Sequence, residues 1–316
     1  GRLHMTTDEW EILADTPRPF AHGCALAYPG SGDYIYATRG AATGDFWRYS
    51  ITDDSWSGLT SLNYSVATGG SLVSPGDGYV YCLAGNHTRT FVRYSIAGGT
   101  WENLPDIIQY DVGFGAGLVY PGSGDYLYAK QEHQSVNNAR YKFQGTSSGV
   151  WAAVNNAPSY GMNLQWPGSG NYLYAFRSYD SQGYVYRLNV SSLAWETMGR
   201  LPGNLSNVFM YYPGSGTTFK MISASNPFTP VAFDPAQSTA SLAFNMPEQF
   251  PITIYAGSRM VYDGASYIYA IRQYPWGSNG SSCYRYSVSD MRWTQIATLN
   301  ADQPGSDADA VFHPAN

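Results

Sequence analysis

The chain has 316 residues, a formal net charge of −6 and a charged fraction of only 13%. Its sequence holds no cluster of lysine and arginine, so we predict no nucleic-acid partner and no attraction to an anionic membrane surface. No apolar run approaches the ~20 residues that a bilayer span needs, so we expect no membrane insertion.

The chain begins with a short segment that differs from everything after it. Residues 1–5 resemble a cloning remnant, and we expect the fold to occupy residues 6–316. That region reads as one domain, because a single pattern repeats through it without a break. The clearest marker is a Pro-Gly pair that recurs about every 46 residues. The prolines of these pairs are Pro29, Pro75, Pro121, Pro167 and Pro213.

Each repeat predicts four short strands, as the first unit illustrates. An apolar run ends at Pro29, where Pro-Gly-Ser-Gly favours a tight turn. The Tyr-x-Tyr run that starts at Tyr34 is the second strand, and Arg48-Tyr49-Ser50 lies in the third. A strand carrying tryptophan completes the unit. Tryptophans at this repeat position are predicted to pack the sheets together: Trp10, Trp56, Trp101, Trp151, Trp195 and Trp293.

A four-stranded sheet of this kind has two apolar faces and cannot bury both by itself. Stacking such sheets around an axis buries them, so the repeats predict an all-β fold, a β-propeller with four-stranded antiparallel blades. Six complete units can be traced, which favours six blades. Two segments, Trp10–Leu13 and Asp307–Pro314, are left over, and we expect them to share the seam that closes the ring. A seven-bladed ring with a reduced last blade is the alternative.

These markers resemble the kelch-like propellers, in the superfamily of the galactose-oxidase central domain. The likeness covers about residues 10–314 and rests on a Tyr-x-Tyr strand followed by a tyrosine seven residues before a tryptophan, as at Tyr49 and Trp56. One mark is degenerate: kelch units usually carry Gly-Gly after the second strand, and here that position reads Arg39-Gly40 or Ala84-Gly85. Kelch-like propellers commonly serve as binding platforms, so the resemblance implies a recognition module.

The two ends of a propeller carry different loops. The nearly constant Pro-Gly turns form one face, and the loops from second to third strand and from blade to blade form the other, the variable-loop face. Loops such as 40–45 and 86–90 share no common sequence, so we predict that each specialised and that this face binds a glycan or a protein. The uncharged polar composition is typical of an extracellular or cell-surface protein.

Aromatic and arginine side chains are the candidate ligand contacts on that face. Sugar rings stack on aromatic rings, and arginine binds carboxylate or sulfate through forked hydrogen bonds. The arginines have an alternative interpretation, in which each one pairs with a neighbouring loop carboxylate such as Asp45. The candidates are Arg39, Tyr110, Tyr160, Arg177, Tyr179, Arg272, Tyr274 and Trp276, of which Tyr274 and Trp276 are the leading anchor.

A carbohydrate-active enzyme of the lyase or epimerase type is the alternative function. The repeat places four groups near the mouth of the central channel as a base, an acid and a carboxylate clamp: His22, His133, Tyr160 and Arg177. The histidines lack metal-ligand spacing, and the tyrosine–cysteine copper site of kelch-type oxidases cannot be matched, so we expect no metal and no cofactor.

Glycine and cysteine positions bear on packing. Glycine recurs six residues before the turn in five units, where we expect inner strands to approach closely: Gly23, Gly69, Gly115, Gly161 and Gly257. Three cysteines give an odd count and do not indicate a disulfide framework. Cys82 takes the place of alanine in other units, which predicts a buried position.

Overall fold

The structure is a computed structural model, and it describes residues 13–199 except 114–115, 132–134, 146–147, 160–161, 167–169 and 178–183; elsewhere it describes mainly the backbone of strands. All the regular elements that the structure describes are β-strands. The earlier ones are β1 (Arg2–His4), β2 (Glu9–Glu11), β3 (Ala25–Ala27), β4 (Tyr34–Thr38), β5 (Phe46–Ser50), β6 (Ser55–Gly58), β7 (Ser71–Val73), β8 (Tyr79–Leu83), β9 (Phe91–Ser95), β10 (Thr100–Asn103), β11 (Gly117–Val119), β12 (Tyr126–Lys130), β13 (Asn138–Lys142) and β14 (Val150–Val154). The later ones are β15 (Met162–Gln165), β16 (Tyr172–Arg177), β17 (Tyr184–Asn189), β18 (Trp195–Arg200), β19 (Val208–Tyr211), β20 (Phe219–Ser223), β21 (Val231–Asp234), β22 (Thr239–Leu242), β23 (Arg259–Tyr262), β24 (Tyr267–Arg272), β25 (Ser281–Ser287) and β26 (Arg292–Leu299).

From β3 onward, each group of four consecutive strands forms one antiparallel sheet, with the strands side by side in chain order. Six such sheets follow one another, the first made of β3–β6 and the last of β23–β26. They correspond to the six units traced in the sequence. The predicted all-β propeller of four-stranded antiparallel blades is therefore confirmed.

The chain ends were predicted to share a seam. β2, which contains Trp10, lies beside β26, the fourth strand of the last sheet. β2 also pairs with β1, which lies within residues 1–5. Residues 307–314 are outside the described part of the chain, so the shared seam and the domain boundary at residue 6 stay predictions.

Aromatic side chains join neighbouring sheets. Phe46, on the first sheet, meets Tyr94 and Trp101 of the second edge to face, with ring centroids 4.9 and 4.7 Å apart. Phe91, on the second sheet, meets Tyr141 and Trp151 of the third at 4.8 Å in each case. Edge-to-face contacts of this kind add to the stabilisation from burial alone. One face of each of these sheets is therefore packed on the opposite face of the next.

The strand tryptophans also bond to the loops between sheets. In four sheets the indole Nε1 donates to a backbone carbonyl of the loop that enters the same sheet. The pairs are Trp56 to Ala14 (3.1 Å), Trp101 to Thr60 (2.7 Å), Trp151 to Pro105 (2.9 Å) and Trp195 to Asn155 (2.8 Å). The polar end of the ring is thereby satisfied while its body fills the interface.

A second repeated contact involves the arginine of the third strand. Its guanidinium lies over the first ring of Tyr-x-Tyr in four sheets, at 4.1–4.2 Å from the ring centroid. The pairs are Arg48 with Tyr34, Arg93 with Tyr79, Arg140 with Tyr126 and Arg187 with Tyr172. This cation–π contact explains why the two sequence markers recur together.

Two of the recurring glycines, Gly23 and Gly69, mark a close approach between sheets, as predicted; Gly115, Gly161 and Gly257 lie outside the described residues. Gly69 has φ +85°, and a Cβ added there would lie 2.1 Å from the carbonyl oxygen of Gly113 in the next inter-sheet loop. Gly23 has φ +82°, and its Cβ would lie 1.9 Å from the oxygen of Ala67. Both distances are far inside van der Waals contact, and the positive φ disfavours any other residue. Both the positive φ and the lack of room for a Cβ therefore require glycine at these positions.

We predict that Gly69→Ala lowers the free energy of unfolding by about 3 kcal/mol or more, because it adds a clash with backbone to an unfavourable φ. Gly78→Ala is the matched control: its φ is +89°, but nothing lies within 4 Å of an added Cβ. That control should cost only about 1–2 kcal/mol. Urea unfolding measures both, and equal losses would refute the close approach.

Cys82 is fully buried in β8, as predicted, and it is a free thiol, like Cys24. The equivalent positions Ala37, Ala129 and Ala175 are also fully buried. Burial raises the pKa of the Cys82 thiol to about 12, because the thiolate would lose its hydration. The folded chain therefore keeps this proton at pH values where the unfolded chain, with an ordinary thiol pKa of about 8.5, loses it.

The contribution of this thiol to the free energy of unfolding should therefore be fully present below about pH 8.5 and should fall as the pH rises toward 12. We predict that Cys82→Ala, which introduces the residue found in the other sheets, loses less stability than the parent chain between about pH 8 and pH 10.5. Buried tyrosines contribute equally to both proteins, so the difference isolates the thiol. Parallel losses in urea unfolding at the two pH values would contradict the prediction.

Candidate functional site

The variable-loop face can be followed in detail across the first three sheets. Because the strands alternate in direction, the loops from second to third strand and the loops between sheets lie at the same end. Two isolated bridges join them, Thr43 with Val66 and Thr88 with Val112. Each loop from second to third strand is thus paired with the loop that leaves its own sheet.

Backbone hydrogen bonds continue this pairing across the face. They link the loop that enters a sheet, the loop between its second and third strands, and the loop that leaves it. The bonds are Ala41 N to His22 O (3.0 Å), Leu62 N to Gly44 O (2.8 Å), Val66 N to Thr43 O (2.9 Å), Asn86 N to Thr68 O (2.9 Å), Ile107 N to Arg89 O (3.0 Å), Val112 N to Thr88 O (2.7 Å) and Ala157 N to Val136 O (2.8 Å). We call this series the loop belt.

The loops 40–45 and 85–90 have the same conformation, although the sequence analysis treated them as unrelated. Both begin Gly-x-x-Thr, and the threonine N–H and hydroxyl donate to the glycine carbonyl, with hydroxyl distances of 2.8 Å for Thr43 and Thr88. The expectation that these loops share no common sequence is wrong for these two, whereas their specialisation for binding stays a prediction. The shared glycine and threonine, at the same offset from the second strand, carried the signal.

The tips of these two loops have left-handed backbone. Ala41 and Ala42 have φ values of 57° and 56°, and Asn86 and His87 both have 56°. Asparagine and, to a lesser degree, histidine tolerate this region, but alanine does not. The belt holds two consecutive alanines in an unfavourable conformation, so the backbone here is fixed by its hydrogen bonds and not by local preference.

Arg39 and Gln131 occupy one repeat position, just after the second strand. Arg39 Nε donates to the carbonyl of Pro19 (3.1 Å), and its Nη1 lies 3.4 Å from an Asp45 carboxylate oxygen. The buried amide of Gln131 donates to the carbonyls of Ile108 and Tyr110. Both side chains therefore bind the loop that enters their own sheet. This geometry matches the carboxylate pairing considered for Arg39, whose ligand role stays a prediction.

The other predicted site residues are described to different extents. Tyr110 lies on the loop between the second and third sheets and is 56% exposed. His22 is exposed, and its carbonyl is part of the loop belt. Arg177 and Arg272 end strands β16 and β24, of which the backbone is described. His133, Tyr160, Tyr179, Tyr274 and Trp276 lie outside the described residues.

Two further exposed residues lie on this face: Tyr64, which the sequence already indicates as an aromatic residue of a variable loop, and Arg89, which the sequence did not single out. Tyr64, 37% exposed, occupies the loop position equivalent to Tyr110, and its hydroxyl donates to Asn103 Oδ1 (3.1 Å). Arg89 lies between the two tyrosine-bearing loops and pairs with Asp111, Nε to Oδ1 at 3.5 Å.

Side chains whose pKa is shifted lie on the strands or, in the case of Tyr120, next to the end of one, and not on the variable-loop face of the described residues. Burial raises the pKa of Tyr36, Tyr128 and Tyr174, each the second tyrosine of Tyr-x-Tyr, because it disfavours the phenolate. These rings are packing groups. Within the described residues, no three or more His, Cys, Asp or Glu side chains lie together as a metal ligand set would. In the same part of the chain, no helix has the length and apolar character of a membrane span.

No protein-family model and no curated protein matches this chain. Solved structures do resemble it. The structure of YjhT is 12% identical with a TM-score of 0.56, over 90% of this chain and 99% of that one. Hydrazine synthase from Kuenenia stuttgartiensis is 13% identical with a TM-score of 0.60, over 90% of this chain and 80% of that one. At this identity the likeness concerns the propeller fold alone.

The unfavourable backbone conformation of Ala42 can be tested by mutation to glycine. We predict that Ala42→Gly raises the free energy of unfolding by roughly 0.5–1 kcal/mol, because glycine adopts positive φ without the Cβ penalty. Ala97→Gly is the control: Ala97 is also an exposed turn alanine, but its φ is not positive. That change should instead destabilise by about 0.4–1 kcal/mol, by increasing the freedom of the unfolded chain. Effects of the same sign in urea unfolding would show that the tip is not strained.

Proposed function

We propose that this protein is a non-catalytic recognition module, a kelch-like propeller that binds a glycan or a protein through its variable-loop face. We further propose that it acts outside the cell or at the cell surface, as its uncharged polar composition suggests. The loop belt is the observation that carries this proposal. It fixes the backbone of the face in advance and leaves the outward side chains for contact.

A prearranged backbone favours binding because little conformational entropy is lost when a ligand docks. In the first three sheets, inter-loop hydrogen bonds of 2.7–3.0 Å fix the loops to one another. The side chains between these bonds differ from loop to loop: exposed Asn63, Tyr64 and Ser65 in the first inter-sheet loop, and exposed Gln109, Tyr110 and Asp111 in the second, beside Arg89. Such a mixed, exposed set suits an asymmetric ligand, and exposed tyrosine and arginine are the residue types enriched where proteins recognise partners.

The relatives in fold do not define the ligand. One of the similar structures bears the name of an enzyme, hydrazine synthase, but an identity of 13% carries the fold and not the chemistry. Catalysis at the channel mouth would depend on His133 and Tyr160, for which the structure offers no geometry. The experiment below therefore includes a measurement of turnover.

We predict binding to at least one polysaccharide in an array of neutral, uronic-acid and sulfated polysaccharides, without shortened or unsaturated products after incubation. Trp276→Ala or Tyr274→Ala should weaken that binding by about tenfold or more, because each removes a leading aromatic anchor. Ser31→Ala, in an exposed Pro-Gly turn on the opposite face, is the control and should bind as the parent chain does.

Product formation would contradict a non-catalytic role. Binding that Ser31→Ala weakens, and that neither aromatic variant affects, would contradict the assignment to the variable-loop face.

A further inference from the structure

Two inter-sheet loops share the same fixed ends but differ in length. In the loop from the first to the second sheet, Leu62 and Val66 are held by Gly44 and Thr43. In the next loop, Ile107 and Val112 are held in the same way by Arg89 and Thr88. Three residues separate the fixed ends in the first loop, and four separate them in the second. The second loop must therefore accommodate one more residue between identical anchors.

The extra residue is absorbed in a three-residue turn. Tyr110 N donates to Ile108 O at 3.1 Å, and the central residue, Gln109, has φ +77°. This is the γ-turn of positive φ, a rare and strained conformation for a residue with a side chain. It persists only where surrounding contacts enforce it.

Side-chain donors bind all three carbonyls of this turn. The Gln131 amide Nε2 donates to Ile108 O and, at 2.6 Å, to Tyr110 O. Arg89 Nη2 donates to the carbonyl of the central residue, Gln109. Burying an amide is unfavourable unless it is bonded, and the Oε1 atom of Gln131 has no partner within the described chain. The two bonds to the turn are therefore what Gln131 contributes.

The first of the two loops has neither the γ-turn nor the buried amide that holds it. The second sheet has Ala84 at the position of Gln131, and the shorter loop that enters it contains no such turn. The tyrosine differs accordingly: Tyr64 is 37% exposed and bonded to Asn103, whereas Tyr110 is 56% exposed. The longer loop, the strained turn and the buried amide occur together, and together they present one aromatic ring to solvent.

Charged groups flank that ring. Arg89 and Asp111 form an ion pair of 3.5 Å, and their side chains are 44% and 61% exposed. Each therefore keeps atoms that can bond an incoming ligand. Because the two charges offset each other, the ring is flanked by donors and acceptors without a net charge.

We propose that Tyr110, Arg89 and Asp111 form a subsite for a neutral sugar residue of a glycan. The Tyr110 ring stacks on the C–H face of the sugar, and Arg89 and Asp111 bond its hydroxyls. Gln131 is a positioning residue, which acts by holding the turn. This inference rests on the proposed function and specifies the ligand class. An acidic sugar is disfavoured for two reasons: Asp111 repels its carboxylate, and Arg89 is already paired with Asp111.

The test is calorimetric titration with neutral hexasaccharides of β-1,4-linked glucose, mannose and xylose, beside hexagalacturonate as the acidic counterpart. At least one neutral hexasaccharide should bind. Tyr110→Ala should weaken that binding by about tenfold or more, and Tyr110→Trp should restore most of it by supplying an aromatic face. Val150→Ala is the control, since Val150 is 52% exposed at the start of β14, near the opposite face, and should have no effect.

The role of Gln131 requires a double-mutant cycle. Gln131→Leu should weaken the same binding severalfold in the parent chain and have no further effect when Tyr110 is already alanine. Equal effects in both backgrounds would show a general structural role and overturn the positioning assignment.

The remaining outcomes separate this inference from the proposed function. Neutral binding that is insensitive to Tyr110→Ala overturns the subsite. Binding of hexagalacturonate or another acidic glycan to the variable-loop face, without any neutral hexasaccharide, also overturns the subsite but leaves the recognition module in place. If the hexasaccharides and the polysaccharide array are both blank, neither glycan proposal holds.

Discussion

The packing of each sheet on the next is the constraint from which the rest of the structure follows. A single four-stranded sheet here has aromatic groups on both faces, Phe46 on one and Tyr49 with Trp56 on the other. Burial of both faces needs a neighbour on each side. In the inter-sheet loops just before the first strands, the spacing becomes so close that only glycine fits, as at Gly69 against Gly113. Backbone contact between these loops and edge-to-face rings between the strands therefore set the distance between neighbouring sheets.

This fixed spacing is what makes the loop belt possible. Once two sheets stand at a set distance, the loop of one and the loop that leads to the next can bond in the same way in every pair, as Thr43 with Val66 and Thr88 with Val112 do. Variation in sequence is then expressed mainly in side chains. Variation in length has few outlets: one additional residue between held ends becomes the turn centred on Gln109.

The fold could be predicted from the sequence because its determinants are local and repeated. Tyr-x-Tyr, Arg-Tyr-Ser and the strand tryptophan each report a contact made within one sheet or between adjacent sheets, so the period alone indicates the architecture. The site could be predicted less completely. Arg39 was predicted either to bind a ligand or to pair with Asp45, and that pairing is present, but its second partner, the carbonyl of Pro19, lies 20 residues earlier in the chain and was not predicted. Which loop carbonyl a side chain reaches depends on how the loops pass each other, and no single stretch of sequence encodes that.

Several residues of this face are held in backbone conformations that their side chains disfavour. Ala41, Ala42 and Gln109 hold positive φ values that alanine and glutamine do not favour, and each lies in a segment whose flanking groups are hydrogen-bonded to another loop. The bonds offset the strain, so the loop backbone is determined by its neighbours and not by its own sequence. A ligand that docks here meets side chains on a backbone that is already ordered, and loses little free energy in ordering it. Selectivity must then come from the side chains themselves, above all from those, such as Tyr110, that the turn geometry directs away from the packed interior.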